Sequence, residues 1–247
     1  MSTHMTKSIR HDLLESQSME FKTKEEYVAE FLRENILSGR FQRGMRLKQA
    51  DIAKQLNLSI TPVREAYRIL EAEGYVLNET HRGVIVAPFD VSATREISDL
   101  RVLLESRLTI AAMERITPAH YGELDALQRE FDQAEARKDR EAVRALNYRF
   151  HSLLYALAQQ PQTLHFVQVL WAKYPFDLIN LIGGRAGRAA AEHRRLLKAM
   201  KLRDEKAIIN ALREHIEAGW HELQFQLGQQ VSIAPRARRK RKGLAIK

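Results

Sequence analysis

The stretch SITPVREAYRILEAEGYV, residues 59–76, decides how the chain is read. Ser59 and Thr61 are helix-capping types, and Pro62 suits a first helical turn, where no carbonyl partner is lost. Val63, Ala66, Tyr67 and Leu70 then recur on one face, while Thr61, Arg64, Glu65 and Arg68 fall largely on the other. One side is made to pack, and the opposite side opens with hydroxyl and guanidinium groups. Upstream, KEEYVAEFLRENILS (24–38) spaces Tyr27, Val28, Phe31, Leu32 and Ile36 as a helix that Gly39 can stop. The turn GRFQRGMRL leads into KQADIAKQLN, a short helix with Ile52, Ala53 and Leu56 inward and Asn57 suited to a left-handed stop. Two short helices on a tight link, the second beginning with polar residues, make a helix-turn-helix whose second helix enters the major groove N-terminus first. YVLNE and GVIVA alternate as two strands about the turn THRG, giving a wing with His81 and Arg82 at its tip.

The chain has 247 residues, enough for two domains of ordinary size. At 45% hydrophobic and 29% charged the composition is globular, and no apolar run approaches the roughly 18 residues a membrane span needs. No membrane association is therefore expected. Cysteine is absent, which excludes disulfides and thiolate metal sites and makes a cytoplasmic setting the expectation. The net charge of +9 is concentrated: SIAPRARRKRKGLAIK, residues 232–247, holds seven Lys and Arg without an acid, leaving +2 for the rest. That basic tail, 231–247, is expected to be disordered. It is read either as a non-specific phosphate-attracting segment or as a solvated tail. Residues 1–20 lack the apolar core of a secretory signal and read as a disordered arm.

From residue 92 the pattern is helical throughout, with expected helices at 93–115, 118–137, 140–159, 162–182, 186–201 and 204–228. Pro118 and Pro161 stand near helix starts, and Asp139 and Asp204 are cap types. Pro88 ends the second wing strand, so the expected boundary falls near residue 89, dividing 21–89 from 90–230. The fold class is mainly α: a winged helix-turn-helix followed by an all-α antiparallel bundle. Three histidines lie on apolar helix faces: His151 with Asn147 one turn before it, His193 in line with Leu196, Leu197 and Met200, and His215 with Ile208 and Leu212. They are read either as hydrogen-bonded core residues or as one shared site.

The run GRFQRGMRLKQADIAKQLNLSITPVREAYRILEAEGYV followed by HRGVIV resembles the winged helix-turn-helix of GntR-type bacterial transcriptional regulators, over residues 25–88. The resemblance implies DNA contact by Ser59, Thr61, Arg64, Arg68, His81, Arg82 and Gly83. Two departures stand out: Ile60 and Ala50 occupy positions where the family commonly has arginine, so base readout must differ. The segments RVLLESRLTIAAM, NYRFH and AEHRRLLKAMKLRDEKAIINALREH resemble the FCD effector domain of the FadR subfamily. That resemblance implies a divalent metal such as zinc or nickel at Asn147, His151, His193 and His215, with Asn147 standing where the family has an acid. It further implies a small carboxylate effector held by Arg101, for which a surface pair with Glu105 is the alternative. Tyr148, Arg149 and Arg188 are weaker pocket candidates.

Together these readings predict a ligand-responsive regulator that binds double-stranded DNA as a homodimer on a pseudo-palindromic operator. The alternative is a DNA-binding protein whose helical half only dimerises, with structural histidines. An enzyme is not expected, since no nucleophile elbow, phosphate loop or H-E-x-x-H run is present.

Overall fold

Thr23 starts the first helix. Its hydroxyl accepts from the Glu26 amide at 3.2 Å while the Glu26 carboxylate accepts from the Thr23 amide at 3.1 Å, closing a capping box. The computed structural model describes residues 23–233 except 89, 180 and 181. The expected N-terminal arm and the basic tail from 234 onward lie outside these residues. Helix α1 spans Lys24–Leu37, α2 Gln49–Leu56 and α3 Ile60–Glu73. Asn57 ends α2 at φ 55 and Gly74 ends α3 at φ 85, both left-handed stops. The inward set of α3 is as read from its periodicity: Val63, Ala66 and Leu70 are fully buried and Tyr67 nearly so.

The wing pairs β1 (Val76–Glu79) with β2 (Gly83–Val86) antiparallel, with Val76 opposite Val86 and Glu79 opposite Gly83. The stretch before α2, expected to be a turn, contributes to this sheet. The Gly44 and Leu47 amides donate to Val86 and Val84 carbonyls, and Val86 donates to Met45, each at 2.9 Å. This third segment covers Ile85, which is why Ile85, Val86 and Ala87 are buried in succession rather than alternately.

A 3-10 turn (Val91–Ala93) leads to α4 (Thr94–Ala112), then α5 (Pro118–Ala136), α6 (Arg140–Ala156), α7 (Pro161–Lys173), α8 (Phe176–Ile179), α9 (Arg185–Leu202) and α10 (Glu205–Ile233). Asp139 and Asp204 cap α6 and α10, accepting from the Ala142 and Ala207 amides at 3.0 Å. The expected helix 162–182 is not continuous. It stops at Lys173 because Pro175 has no amide to donate and forces Tyr174 into an extended conformation (φ −92, ψ 138). Helix α10 runs five residues beyond the expected stop at 228, and three into the segment expected to be tail: one glycine costs about 1 kcal/mol in a helix and does not end it. No helix among the described residues is long and apolar enough to cross a membrane.

The two halves share one continuous apolar core, from Val28 in α1 to Ile216 in α10. Polar contacts reinforce the junction between α1 and α6: Tyr148 donates to Glu30 at 2.6 Å, Arg149 pairs with Glu34 at 2.6 Å, and Arg144 donates to the Ser38 carbonyl. Arg43 bonds the carbonyls of Ala87, at the base of the wing, and of Ala172 at the end of α7, at 2.9 and 3.0 Å. A cation among the last carbonyls of a helix is favoured by the helix dipole as well as by the bonds.

Candidate functional site

Ser59, Thr61, Arg64, Arg68, His81 and Arg82 are all exposed, and Gly83 is half-buried, so the structure puts the sequence-predicted DNA contacts on the outside of α3 and the wing. Ser59 occupies the N-cap of α3 without a side-chain cap bond. His81 and Gly83 both take positive φ, 69 and 72, which bends the wing tip sharply. The arginines are paired with their own neighbours: Arg68 with Glu65 at 3.0 Å, Arg64 with Glu65 at 3.7 Å, Arg82 with Glu79 at 2.9 Å. Arg46, which the sequence reading left in a turn, bridges to Ile85, and its guanidinium lies 3.8 Å from where a Cβ on Gly83 would stand. It adds a cation beside the wing. Ile60, half exposed, and Ala50, exposed, leave the two departures from the family pattern on the surface.

In the helical half the candidate ligand atoms of His151, His193 and His215 lie within 4.8 Å of one another. Helices α6, α9 and α10 each supply one. The hydrogen bonds of these rings settle which nitrogen is free. Tyr155 donates its proton to Glu105 at 2.7 Å, so its oxygen accepts from His151 Nδ1 at 3.2 Å. Gln128 donates its amide to Asp132 at 2.9 Å, which turns its carbonyl toward His193 Nδ1 at 3.1 Å. His215 Nδ1 donates to Glu192 at 2.8 Å, and Arg185 grips the same carboxylate with two bonds of 3.0 and 2.8 Å. All three protons thus sit on Nδ1.

The three Nε2 lone pairs face one another. His151 and His215 bring theirs to 3.2 Å, and His193 Nε2 is buried without a partner. Opposed lone pairs repel, and a buried unpaired acceptor costs about 1–3 kcal/mol. A cation between them removes both penalties. The 3.2 Å separation is close to that of two nitrogens each about 2.0–2.1 Å from one tetrahedral ion, so the residues fit a zinc-like or nickel-like metal. Nδ1 held by carboxylate, amide and phenol is also the outer-shell support that orients metal-binding imidazoles.

Burial pushes all three imidazoles below their ordinary pKa. Neighbouring His215 and Arg101 add to the effect at His151, and His215, His151 and Arg185 at His193. At His215 the Glu192 hydrogen bond opposes burial without cancelling it. For Glu192 burial works toward the neutral acid, but His215 and Arg185 together hold it down at about 2.

The Arg101–Glu105 pair weighed as the alternative from sequence is present, but it is buried and not on the surface, with Arg101 4% exposed. Its Nε donates to Glu105 Oε1 at 2.7 Å inside the bundle, and Glu105, fully buried, also accepts from Trp171 at 2.9 Å. Tyr174 and Phe176 place their rings 4.3 and 4.8 Å from the guanidinium carbon. Two adjoining cavities, about 340 and 370 Å³, share Arg101, Asn147 and Phe176 on their walls. The first also meets His151, Tyr148 and, from the winged half, Leu37; the second meets His215 and Arg185. Asn147 therefore lines the cavity, as does Tyr148, but Arg149 and Arg188 do not. Arg149 is spent on Glu34 at the junction, and Arg188 is half-exposed on Glu222 at 2.7 Å. Arg185, Glu192 and Gln128 were missed from sequence, and Glu105 was considered only as a surface partner of Arg101, although the Arg185–Glu192 spacing of two helical turns on an apolar face was a signal for a buried pair.

Residues 24–86 match the bacterial regulatory proteins of the gntR family, and residues 96–218 match the FCD domain. The HTH-type transcriptional regulator McbR of Escherichia coli K12 is 27% identical over 189 residues, covering 74% of this chain and 85% of that protein. An uncharacterized HTH-type transcriptional regulator of Mycobacterium tuberculosis is 31% identical over 180 residues, 70% of this chain and 73% of its own length. The solved structure of E. coli McbR/YncC is similar in fold, with a TM-score of 0.71 at 25% identity over 84% of this chain and all of that one. The chain belongs to the GntR family of bacterial transcriptional regulators, with an FCD domain as its helical half. Its relatives are regulators and not enzymes.

Two predictions follow from the buried charges. Arg101→Ala strands Glu105 in the core and is expected to cost about 3–5 kcal/mol in a denaturant titration. Unfolded imidazoles take up protons near pH 6.5 while the folded ones resist. Metal-free protein is therefore fully stabilised by these groups above that pH and loses the contribution as pH falls below it. Melting temperatures at pH 7.5 and 5.5 should show the lower value at pH 5.5, and His193→Gln should narrow the gap; Glu192, ionised throughout, does not contribute.

Proposed function

We propose that this GntR-family chain, of the FadR subfamily, acts in the cytoplasm as a homodimer on a pseudo-palindromic operator. A small organic acid entering the helical half changes its affinity for DNA, assisted by a divalent metal such as zinc or nickel. The winged module is residues 21–89 and the effector-binding and dimerisation module 90–230. Ser59, Thr61, Arg64 and Arg68 of α3 and His81, Arg82 and Gly83 of the wing meet the DNA, with Arg46 beside them. The uncapped start of α3 offers amides and the Ser59 hydroxyl to a phosphate. Exposed arginine–glutamate pairs are worth about 0–1 kcal/mol, against about 1–3 kcal/mol for a bidentate arginine on guanine. Arg64 thus gives up Glu65 at little cost. Leu100 and Leu103, 40% and 65% exposed on α4, support a second copy packing on that face.

The convergence of three unprotonated Nε2 atoms beside an arginine-lined cavity carries the sensing half of this reading. A divalent ion held by His151, His193 and His215, with Asn147 on the adjoining wall, supplies a Lewis-acidic centre for a carboxylate oxygen. Arg101 meets the carboxylate with its guanidinium, whose Nε is anchored to Glu105 so that the group does not reorient on binding. Trp171 and Phe176 give the same space an apolar wall.

Arg64→Ala should lower affinity about tenfold for an operator selected from random duplexes and relax its sequence preference, measured by binding titration. Unchanged affinity and preference would remove α3 as the reader. His193→Ala combined with His215→Ala should leave the purified full chain without bound metal by elemental analysis; equal metal content in the variant and the wild type would end the metal assignment and favour structural histidines.

A further inference from the structure

We infer that Tyr148 is a positioning residue for the recognition helix α3, acting from the cavity wall through the sequence of hydrogen bonds Tyr148, Glu30, Arg33, Glu73. The inference rests on the reading of α3 as the element that meets DNA.

Each link is on a different element or one turn apart. Tyr148, in α6, is 5% exposed, lines the cavity and stands edge-on to Trp171 with ring centroids 5.5 Å apart. Its hydroxyl donates to Glu30 Oε1 in α1 at 2.6 Å. The other Glu30 oxygen accepts from Arg33 at 3.0 Å, and Arg33 forks onto Glu73 with bonds of 2.8 and 2.7 Å. Glu73 is the last residue of α3 and is 3% exposed. Burial, followed by the charge of Glu30, keeps the Tyr148 phenol well above its usual pKa, so it stays a donor.

Three properties separate this chain of contacts from ordinary packing. The forked pair fixes both the distance and the plane between α1 and the end of α3, whereas a single bond leaves rotation free. Water has little access to the Arg33–Glu73 fork, both of whose residues are buried, as is Tyr148 at the other end, while Glu30 between them is half-buried. The parallel contact Arg149–Glu34 also joins α6 to α1, but among the described contacts it goes no further toward α3. Because α3 is one helix, a shift at Glu73 is carried to Arg64, nine residues or about 13 Å away. A molecule in the cavity that moves the Tyr148 ring or competes for its hydroxyl therefore changes the constraint on the reading end.

The test uses the full chain as Tyr148→Phe, Glu73→Gln and the double variant. Tyr121→Phe, which removes a hydroxyl bonded to the Met200 carbonyl at 3.0 Å, is the control. Amide hydrogen exchange reads α3 directly, and titration against a wild-type-selected operator and a random duplex reads the preference between them. Tyr148→Phe is expected to speed exchange over residues 66–74 and reduce the operator-over-random ratio about fivefold or more, with Tyr121→Phe doing neither. The double variant should be no worse than Glu73→Gln, since both cut one relay. Additive effects, or exchange changes confined to α1 and α6, overturn the inference. Faster exchange in α3 with an unchanged ratio supports the relay and counts instead against α3 as the reader.

Discussion

Three imidazoles, two arginines and two glutamates stand in the centre of a helical bundle because each charge there is met by an opposite one and each hydrogen by an acceptor. Glu105 takes Arg101, Tyr155 and Trp171; Glu192 takes Arg185 and His215. These two carboxylates come from helices far apart in the chain, and between them they fix His151 and His215 in one tautomer. The cavity, the direction of the free nitrogens and the setting of Arg101 all depend on that exchange of bonds. Every donor and charge in this network is matched, and what is left over is the set of inward-facing Nε2 acceptors, of which His193 Nε2 has no partner.

The same interior reaches the winged half without a spacer. Leu37 of α1 forms part of the cavity wall, and α1 is tied both to α6 and, through Arg33 and Glu73, to α3. The cavity and α3 are thus bridged by α1. Beside the linker that follows the wing, a direct packed face joins the two halves.

Much of this was legible in the sequence where local chemistry decides structure. The inward residues of α3, the left-handed stop at Asn57, the acids at Asp139 and Asp204 and the wing turn all follow from periodicity and capping, and the three histidines were placed by their apolar stripes. What failed had identifiable causes. The apolar run around 162–182 concealed the break that Pro175 imposes. Arg101 and Glu105, one turn apart, look the same on paper whether buried or solvated, and only packing by α7 and the Tyr174 segment decides between them. Arg149 was a weaker pocket candidate beside Tyr148, but adjacent residues on a helix point about 100° apart, and Arg149 is taken up by Glu34 of α1. Gln128 and Glu105 support the histidines from across the bundle, at sequence separations where no spacing rule operates.

The interruption at Pro175 has a geometric consequence for Arg101. In an unbroken helix, residues two apart project on nearly opposite sides, so Tyr174 and Phe176 could not both meet one guanidinium. Extended backbone at Tyr174 brings them to the same side, ring centroids 4.8 Å apart, and forms an aromatic notch in which the cation rests. A single imino acid thereby converts a stretch of bundle wall into a seat for positive charge. Any homologous chain with a hydrogen-bonding residue at this position loses the reason for that notch, however well its other side chains are preserved.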